Sequence, residues 1–259
     1  MTFRFMQNIS WASLKRKPFS FLRAAVDFIY PPACPACGRP MEGDAVMCPA
    51  CSESLMRTGR AVRQGSPAEF LHLPGELHFD FILTAWDYSA ELEKLVHRVK
   101  YERGLRLGVC LGSMMAEIMV SRLPAGDPRC FLSPVPLHRI RKRERGYNQS
   151  EILCRGISRV WGMPVRCDVL ERIKNTKSQT RMSAEKRQDN VKGVFRVRSP
   201  EAVCGRCILL VDDVITTGAT MNGCSRVLKE AGAAAVIGLA LARPQIFASD
   251  LRAWIRTGH

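Results

Sequence analysis

The clearest chemistry in the chain lies in ten consecutive residues, Val211-Asp212-Asp213-Val214-Ile215-Thr216-Thr217-Gly218-Ala219-Thr220. They sit where an apolar run, Cys207 to Val211, gives way to a helix-period segment, Thr220 to Ala231. Ligands of open α/β sheets gather at the carboxyl ends of strands. A helix N-terminus adds unpaired N–H groups and the positive end of a dipole, which suit a phosphate. Gly218 lets the backbone approach such an anion, and Thr216, Thr217 and Thr220 add hydroxyl donors, so Thr216 to Thr220, with Ala219, form a phosphate loop. Asp212 and Asp213 cannot serve that phosphate, because like charges repel. They would accept hydrogen bonds from paired hydroxyls close by. Phosphate on one side and a vicinal diol on the other describe a ribose 5-phosphate.

A second pattern concerns metal. Cys34-Pro-Ala-Cys37 and Cys48-Pro-Ala-Cys51 are separated by ten residues. Each turn aims two thiolates at one point, and two such turns complete a tetrahedral four-sulfur site. With no histidine or carboxylate in the pattern, this is a closed, structural Zn²⁺ site. Gly38 and Gly43 allow the tight turns. Cys204-Gly-Arg-Cys207 repeats the spacing without a second pair, and packing is its better reading. Cys110, Cys130, Cys154, Cys167 and Cys224 fall in apolar-periodic segments and read as core fillers.

The net charge of +15 is local rather than spread. Residues 1–30 carry +4, His138 to Gly146 +4 and Glu171 to Arg198 +6, so three stretches hold nearly all the excess. Local positive charge attracts phosphates, on a nucleotide or on a nucleic acid. At 46% hydrophobic and 24% charged residues, the composition is that of a globular protein, which excludes disordered and collagen-like classes. The longest uncharged apolar stretch, Ala231 to Ala242, has 12 residues, against about 20 for a membrane span. No signal-peptide pattern opens the chain, and a cytoplasmic protein is expected.

The elements that must position these residues follow from periodicity. Phe19 to Tyr30 reads as a short amphipathic helix that, with Lys15-Arg16-Lys17, could touch a membrane surface, although covering a neighbouring module is commoner. The expected units are an N-terminal amphipathic segment (1–30), a zinc-binding module (31–56), a Gly- and Pro-rich linker (57–78), a large domain (79–243) and a tail (244–259). Strands are expected at Phe79 to Tyr88, Cys130 to Val135, Val165 to Leu170, Cys207 to Val211 and Ala234 to Leu241. Between them, helices are expected over 90–101, around Leu107 to Ile118, over Gln149 to Trp161 and over Thr220 to Ala231, with basic loops between. This alternation predicts an α/β domain with a mainly parallel sheet flanked by helices.

At Val211 to Thr220 the chain resembles the 5-phosphoribosyl 1-pyrophosphate (PRPP) motif of type I phosphoribosyltransferases. The resemblance widens over most of the chain. The paired CxxC turns are followed in order by Leu95-Val96-His97-Arg98-Val99-Lys100-Tyr101 and Pro134-Val135-Pro136-Leu137-His138. Arg143-Glu144-Arg145-Gly146-Tyr147-Asn148-Gln149 and Asn190-Val191-Lys192-Gly193-Val194-Phe195 come next. Together these motifs resemble the ComF family, including its ComFC- and GntX-like members. That resemblance implies a type I phosphoribosyltransferase fold and an association with competence and DNA uptake. It also implies that Asp212 and Asp213 hold the ribose hydroxyls, that Thr216 to Thr220 wrap the 5′-phosphate and that Mg²⁺ accompanies PRPP. The loop of Arg141, Lys142, Arg143 and Arg145 would meet the pyrophosphate or DNA. The polar stretch from Lys174 to Thr180 resembles a hood, with Lys177 or Arg187 closing on the pyrophosphate.

Two functions stay open on this basis. One is a PRPP-site protein of DNA uptake that binds single-stranded DNA together with the competence machinery. The other is an active phosphoribosyltransferase, a glycosyltransferase of nucleotide or base metabolism. Nothing in the sequence identifies an acceptor. His97 and His138 are weak catalytic candidates, since the reaction needs little acid–base help from the protein.

Overall fold

A computed structural model of the chain describes residues 32–64, 76–102, 104–123, 127–174 and 193–243. The expected N-terminal helix, the C-terminal tail, most of the hood, Lys177 and Arg187 lie outside the described residues.

The core is a five-stranded sheet in the order β1-β2-β7-β6-β3, with β1 Val62–Gln64, β2 Phe81–Asp87, β3 Cys130–Pro134, β6 Cys207–Val214 and β7 Ala235–Arg243. β2, β7, β6 and β3 are parallel, and β1 runs antiparallel along β2. A separate ribbon pairs β4 Leu170–Arg172 with β5 Phe195–Val197. Alternation along β6 shows why the sheet is covered on both faces. Leu209 and Val211 enter one apolar cluster, and Ile208 and Leu210 enter the other. Helices α2 Ala90–Tyr101, α3 Leu105–Met119 and α5 Gln149–Trp161 supply the first cluster. Helix α6 Ala219–Glu230 and the β4–β5 ribbon supply the second. The mainly parallel α/β architecture expected from the sequence is therefore present.

Helices α3 and α5 approach backbone to backbone. A methyl group at Gly112 would strike the Leu153 carbonyl, and one at Gly156 would strike Val109 and Ser113. The Ser113 hydroxyl donates to the Gly156 carbonyl across this seam at 3.1 Å. The N-terminal end of α5 is held at the carboxyl end of the sheet by separate bonds, Asn148 to the Val135 carbonyl and Ser150 to Asp212.

Three local expectations change. Helix α1 Pro49–Thr58 carries Cys51 and ends two residues into the segment read as linker, and within that segment Val62–Gln64 adds an edge strand. Three residues show no period, so pairing with β2 alone creates that strand. The strand expected over Val165 to Leu170 is reduced to one bridge, Leu132 to Val165, with β4 starting at Leu170. Arg166 and Asp168 bond each other there at 2.8 Å, the chain bends, and Cys167 faces outward rather than filling the core. Finally, the basic run is a helix, α4 Arg139–Arg145, rather than a loop. His138 Nδ1 accepts from the Ile140 amide at its start, and Gly146 closes it with φ near +81°.

Candidate functional site

β6 carries Asp212 and Asp213 to the carboxyl edge of the sheet, and the turn through Gly218, at φ +82°, starts α6. Each acid is braced by the backbone that follows it. The Asp213 amide donates to Asp212 Oδ1 at 2.9 Å, and the Val214 amide donates to Asp213 Oδ1 at 2.9 Å. In the loop, Thr217 Oγ1 accepts from the Ala219 amide at 3.4 Å, while Thr216 is exposed and Gly218 is buried. The expected acid pair and hydroxyl loop thus occupy one strand–turn–helix junction.

Two side chains from elsewhere contact the acids, and the charge of a third acts on Asp212. The Ser150 hydroxyl, in the first turn of α5, donates to Asp212 Oδ1 at 3.0 Å. Lys100, near the end of α2, places Nζ 2.5 Å from Asp213 Oδ2, with both side chains largely buried. Arg172, at the end of β4, lies within electrostatic reach of Asp212 and Arg141 and holds its guanidinium over the Phe195 ring at 5.6 Å. Burial and then the charge of Asp213 raise the Asp212 carboxyl to about 7, against the opposing pull of the Asp213 amide, Lys100 and Ser150. Sequence patterns do not single out these three residues, because nothing local links them to the acids. Only the presence of Lys100 in the resemblance motif hinted at one of them.

A cavity of about 650 Å³ opens beside Lys100, which forms part of its lining. Arg141, Arg143 and Arg145 from α4 add three more cations, with Glu144 the one acid among the lining residues. Arg145 is oriented on both sides: Nη1 donates to Gln149 Oε1 at 2.9 Å, and Nη2 donates to the Tyr101 hydroxyl at 3.2 Å. Its guanidinium also lies 5.0 Å from the centre of the Tyr101 ring, which is 60% exposed. Tyr147 bonds the Val99 carbonyl and ties α4 to α2. Lys142 is the exception among the expected basic residues, since it turns towards Glu151 at 3.8 Å. Of the two histidines, His138 caps α4, and His97 stacks near Tyr101 beside Glu102. Their partners lie away from the acid pair.

The four cysteines converge as expected. The sulfur atoms of Cys34, Cys37, Cys48 and Cys51 all lie within 4.8 Å of one another, and Cys37 and Cys48 are 3.8 Å apart. A tetrahedral zinc with Zn–S bonds of about 2.3 Å requires sulfur–sulfur edges of about 3.8 Å, so the group fits Zn²⁺. Burial alone would raise the Cys34 thiol, but amide donors from Cys48, Cys37 and Ala36 outweigh it and lower the thiol to about 6. Those donors favour the thiolate that a metal needs. The module does not stand apart. Cys34, Met41 and Met47 belong to the same apolar cluster as Trp86 and α3, and Trp86 Nε1 donates to the Leu55 carbonyl at 2.8 Å.

Comparison with known proteins bears on both regions. Residues 25–67 match the model of the double zinc ribbon domain, and residues 111–254 match that of the phosphoribosyl transferase domain. The chain is 32% identical over 210 residues to DNA utilization protein YhgH of Escherichia coli (strain K12), covering 78% of this chain and 86% of that protein. It is 39% identical over 111 residues to Competence protein F of Haemophilus influenzae, covering 42% of this chain and 48% of that protein. It is 26% identical over 241 residues to Competence protein ComFC of Bacillus subtilis (strain 168), covering 90% of this chain and 89% of that protein. The ribbon match and the convergent thiolates together support a structural zinc. Among the described residues, no helix is long and apolar enough to cross a membrane.

Proposed function

The chain belongs to the ComF family and carries a phosphoribosyl transferase domain, and from that premise we propose that it is a PRPP-binding protein of DNA handling. One observation carries this reading. A strand-end acid pair with a hydroxyl loop lies next to a cavity with four cationic lining residues, and Lys100 belongs to both. Asp212 and Asp213 accept from the ribose 2′- and 3′-hydroxyls. Thr216 to Thr220 and the first amides of α6 bind the 5′-phosphate. Arg141, Arg143 and Arg145 take the pyrophosphate, where the planar guanidinium fork suits phosphate oxygens. Mg²⁺ bound with PRPP would supply charge neutralisation at its pyrophosphate.

Single-stranded DNA is a second ligand in this reading, which the relatives named for DNA utilization and competence support. The same cationic cavity suits a phosphodiester backbone, and exposed Tyr101 offers a face on which a base can stack. A cytoplasmic location follows from this role in handling imported strands.

The second reading, turnover, is favoured by the same juxtaposition. Displacement at ribose C1 forms a bond from a nitrogen nucleophile, which loses a proton. The C1–O bond breaks, its electron pair leaves with pyrophosphate, and positive charge develops on the ring in the transition state. Asp212 and Asp213 would stabilise that charge while the arginines hold the leaving group. Calorimetry with PRPP–Mg²⁺, then with single-stranded DNA on the same preparation, tests the binding reading. Heat of binding with both ligands supports it, and no binding of PRPP overturns it. Pyrophosphate release in the presence of candidate bases and amines tests turnover.

A further inference from the structure

Lys100 occupies an unusual position for a lysine. Leu92, Leu95, Val96 and Val99 anchor α2 on the sheet, and Lys100 follows at the last turn with its side chain only 23% exposed. Its ammonium sits 2.5 Å from Asp213 Oδ2, while Asp213 Oδ1 already accepts from the Val214 amide. Both oxygens of Asp213 are therefore engaged. Oδ2 is also sealed from solvent, so a ribose hydroxyl reaches that oxygen only when the ammonium moves off it. The same side chain lines the cationic cavity, where Arg145 lies near enough to repel it. Lysine carries a compact charge on a flexible four-carbon stem, so it can exchange partners where an arginine fork would not.

We propose that Lys100 is a specificity-determining residue of the ribose site, selecting ribose phosphates that carry a pyrophosphate over those that do not. Lys100 has this role only if the acids hold a ribose, as proposed above. A pyrophosphate in the cavity offers the ammonium a new anionic partner and releases Asp213 to the sugar. One ion pair replaces another, and the exchange costs little. Ribose 5-phosphate offers no such partner at that position, so it must compete with Lys100 for Asp213. The two halves of the ligand are then coupled through a single side chain.

The coupling is measurable without a variant. Two anions binding side by side repel each other, so independent subsites predict that inorganic pyrophosphate weakens ribose 5-phosphate binding or leaves it unchanged. The lysine exchange predicts the opposite sign. In Mg²⁺ buffer, saturating inorganic pyrophosphate should tighten ribose 5-phosphate binding to the full-length protein about tenfold, the equivalent of one hydrogen bond to a charged group. Lys100→Gln, which keeps a donor beside Asp213 but removes the charge, should abolish the coupling, weaken PRPP and strengthen ribose 5-phosphate. A merely structural lysine would lower both affinities together. Absence of positive coupling in the wild-type protein, or its persistence in Lys100→Gln, would overturn the role of Lys100. Failure of the wild-type protein to bind either PRPP or ribose 5-phosphate would instead overturn the ribose site itself.

Discussion

The Ser150 hydroxyl donates to Asp212 across 62 residues of sequence, at 3.0 Å, and so joins the first turn of α5 to the end of β6. Asn148 makes this contact reproducible. Its Oδ1 caps α5 by accepting from the Ser150 amide at 3.1 Å, and its Nδ2 donates to the Val135 carbonyl at 2.9 Å. The buried Asn148 thereby ties the segment after β3 to the helix that touches the acid pair. The Gly-Tyr-Asn-Gln-Ser run is thus a positioning device as well as the end of a basic patch.

The acid pair should carry the affinity for the sugar. Asp213→Ala removes a charged acceptor and should weaken PRPP by about 1.5–3 kcal/mol, roughly tenfold to a hundredfold. Calorimetry on Asp213→Ala and on the Asp212→Ala, Asp213→Ala double variant checks this. Unchanged affinity in the double variant would refute the site.

Affinity for PRPP should rise with pH through about 7, because Asp212 must be ionised to accept from two hydroxyls. The sign for stability is opposite. A carboxyl raised from 3.8 to about 7 keeps, in the folded protein, a proton that the unfolded chain has already released. Its contribution to stability therefore falls as pH rises from about 4 through 7. Asp213, Lys100 and Ser150 act on this group, and losing the Ser150 hydroxyl removes an interaction that favours its ionised form. Ser150→Ala should shift the binding midpoint further upward, and Asp212→Asn should flatten that part of the stability profile. Denaturant titrations at several pH values, with PRPP binding at the same values, measure both.

Loss of zinc should be felt beyond the small module. A module that folds alone would leave the larger domain untouched, but Cys34, Met41 and Met47 share an apolar cluster with Trp86 and α3. Cys37→Ser should release metal and lower the melting temperature of the whole chain by about 5 °C or more, at about 2–4 °C per kcal/mol. Metal analysis and a thermal scan on one sample check this. Full-length protein purified without chelator yet free of zinc would end the idea.

Salt dependence should separate the two ligands of the cationic cavity. If Arg143 contacts DNA phosphate, Arg143→Ala should flatten the log–log salt slope for single-stranded DNA by about 0.7. If it serves only pyrophosphate, the variant should lose PRPP and keep its DNA slope. Competition between PRPP and DNA in the wild-type protein would show that one surface receives both.

What the sequence determined by itself is what short-range geometry controls. Val211 to Thr220 spans one strand end, one turn and one helix start, so this junction was readable without any distant neighbour. The CxxC turns are equally local, and helices 90–101 and Gln149 to Trp161 match their expected spans because their apolar periods are unbroken. Tertiary structure decided the rest. Val62–Gln64 is a strand only because β2 offers it an edge. Lys142 points away from the cavity that its neighbours Arg141 and Arg143 line, because a helix turns successive side chains in different directions. Lys100, Ser150 and Arg172 come from α2, α5 and β4, and only packing around the sheet brings them to Asp212 and Asp213. Sequence spacing encodes neighbours along one element, whereas charges that meet across elements are set by the fold.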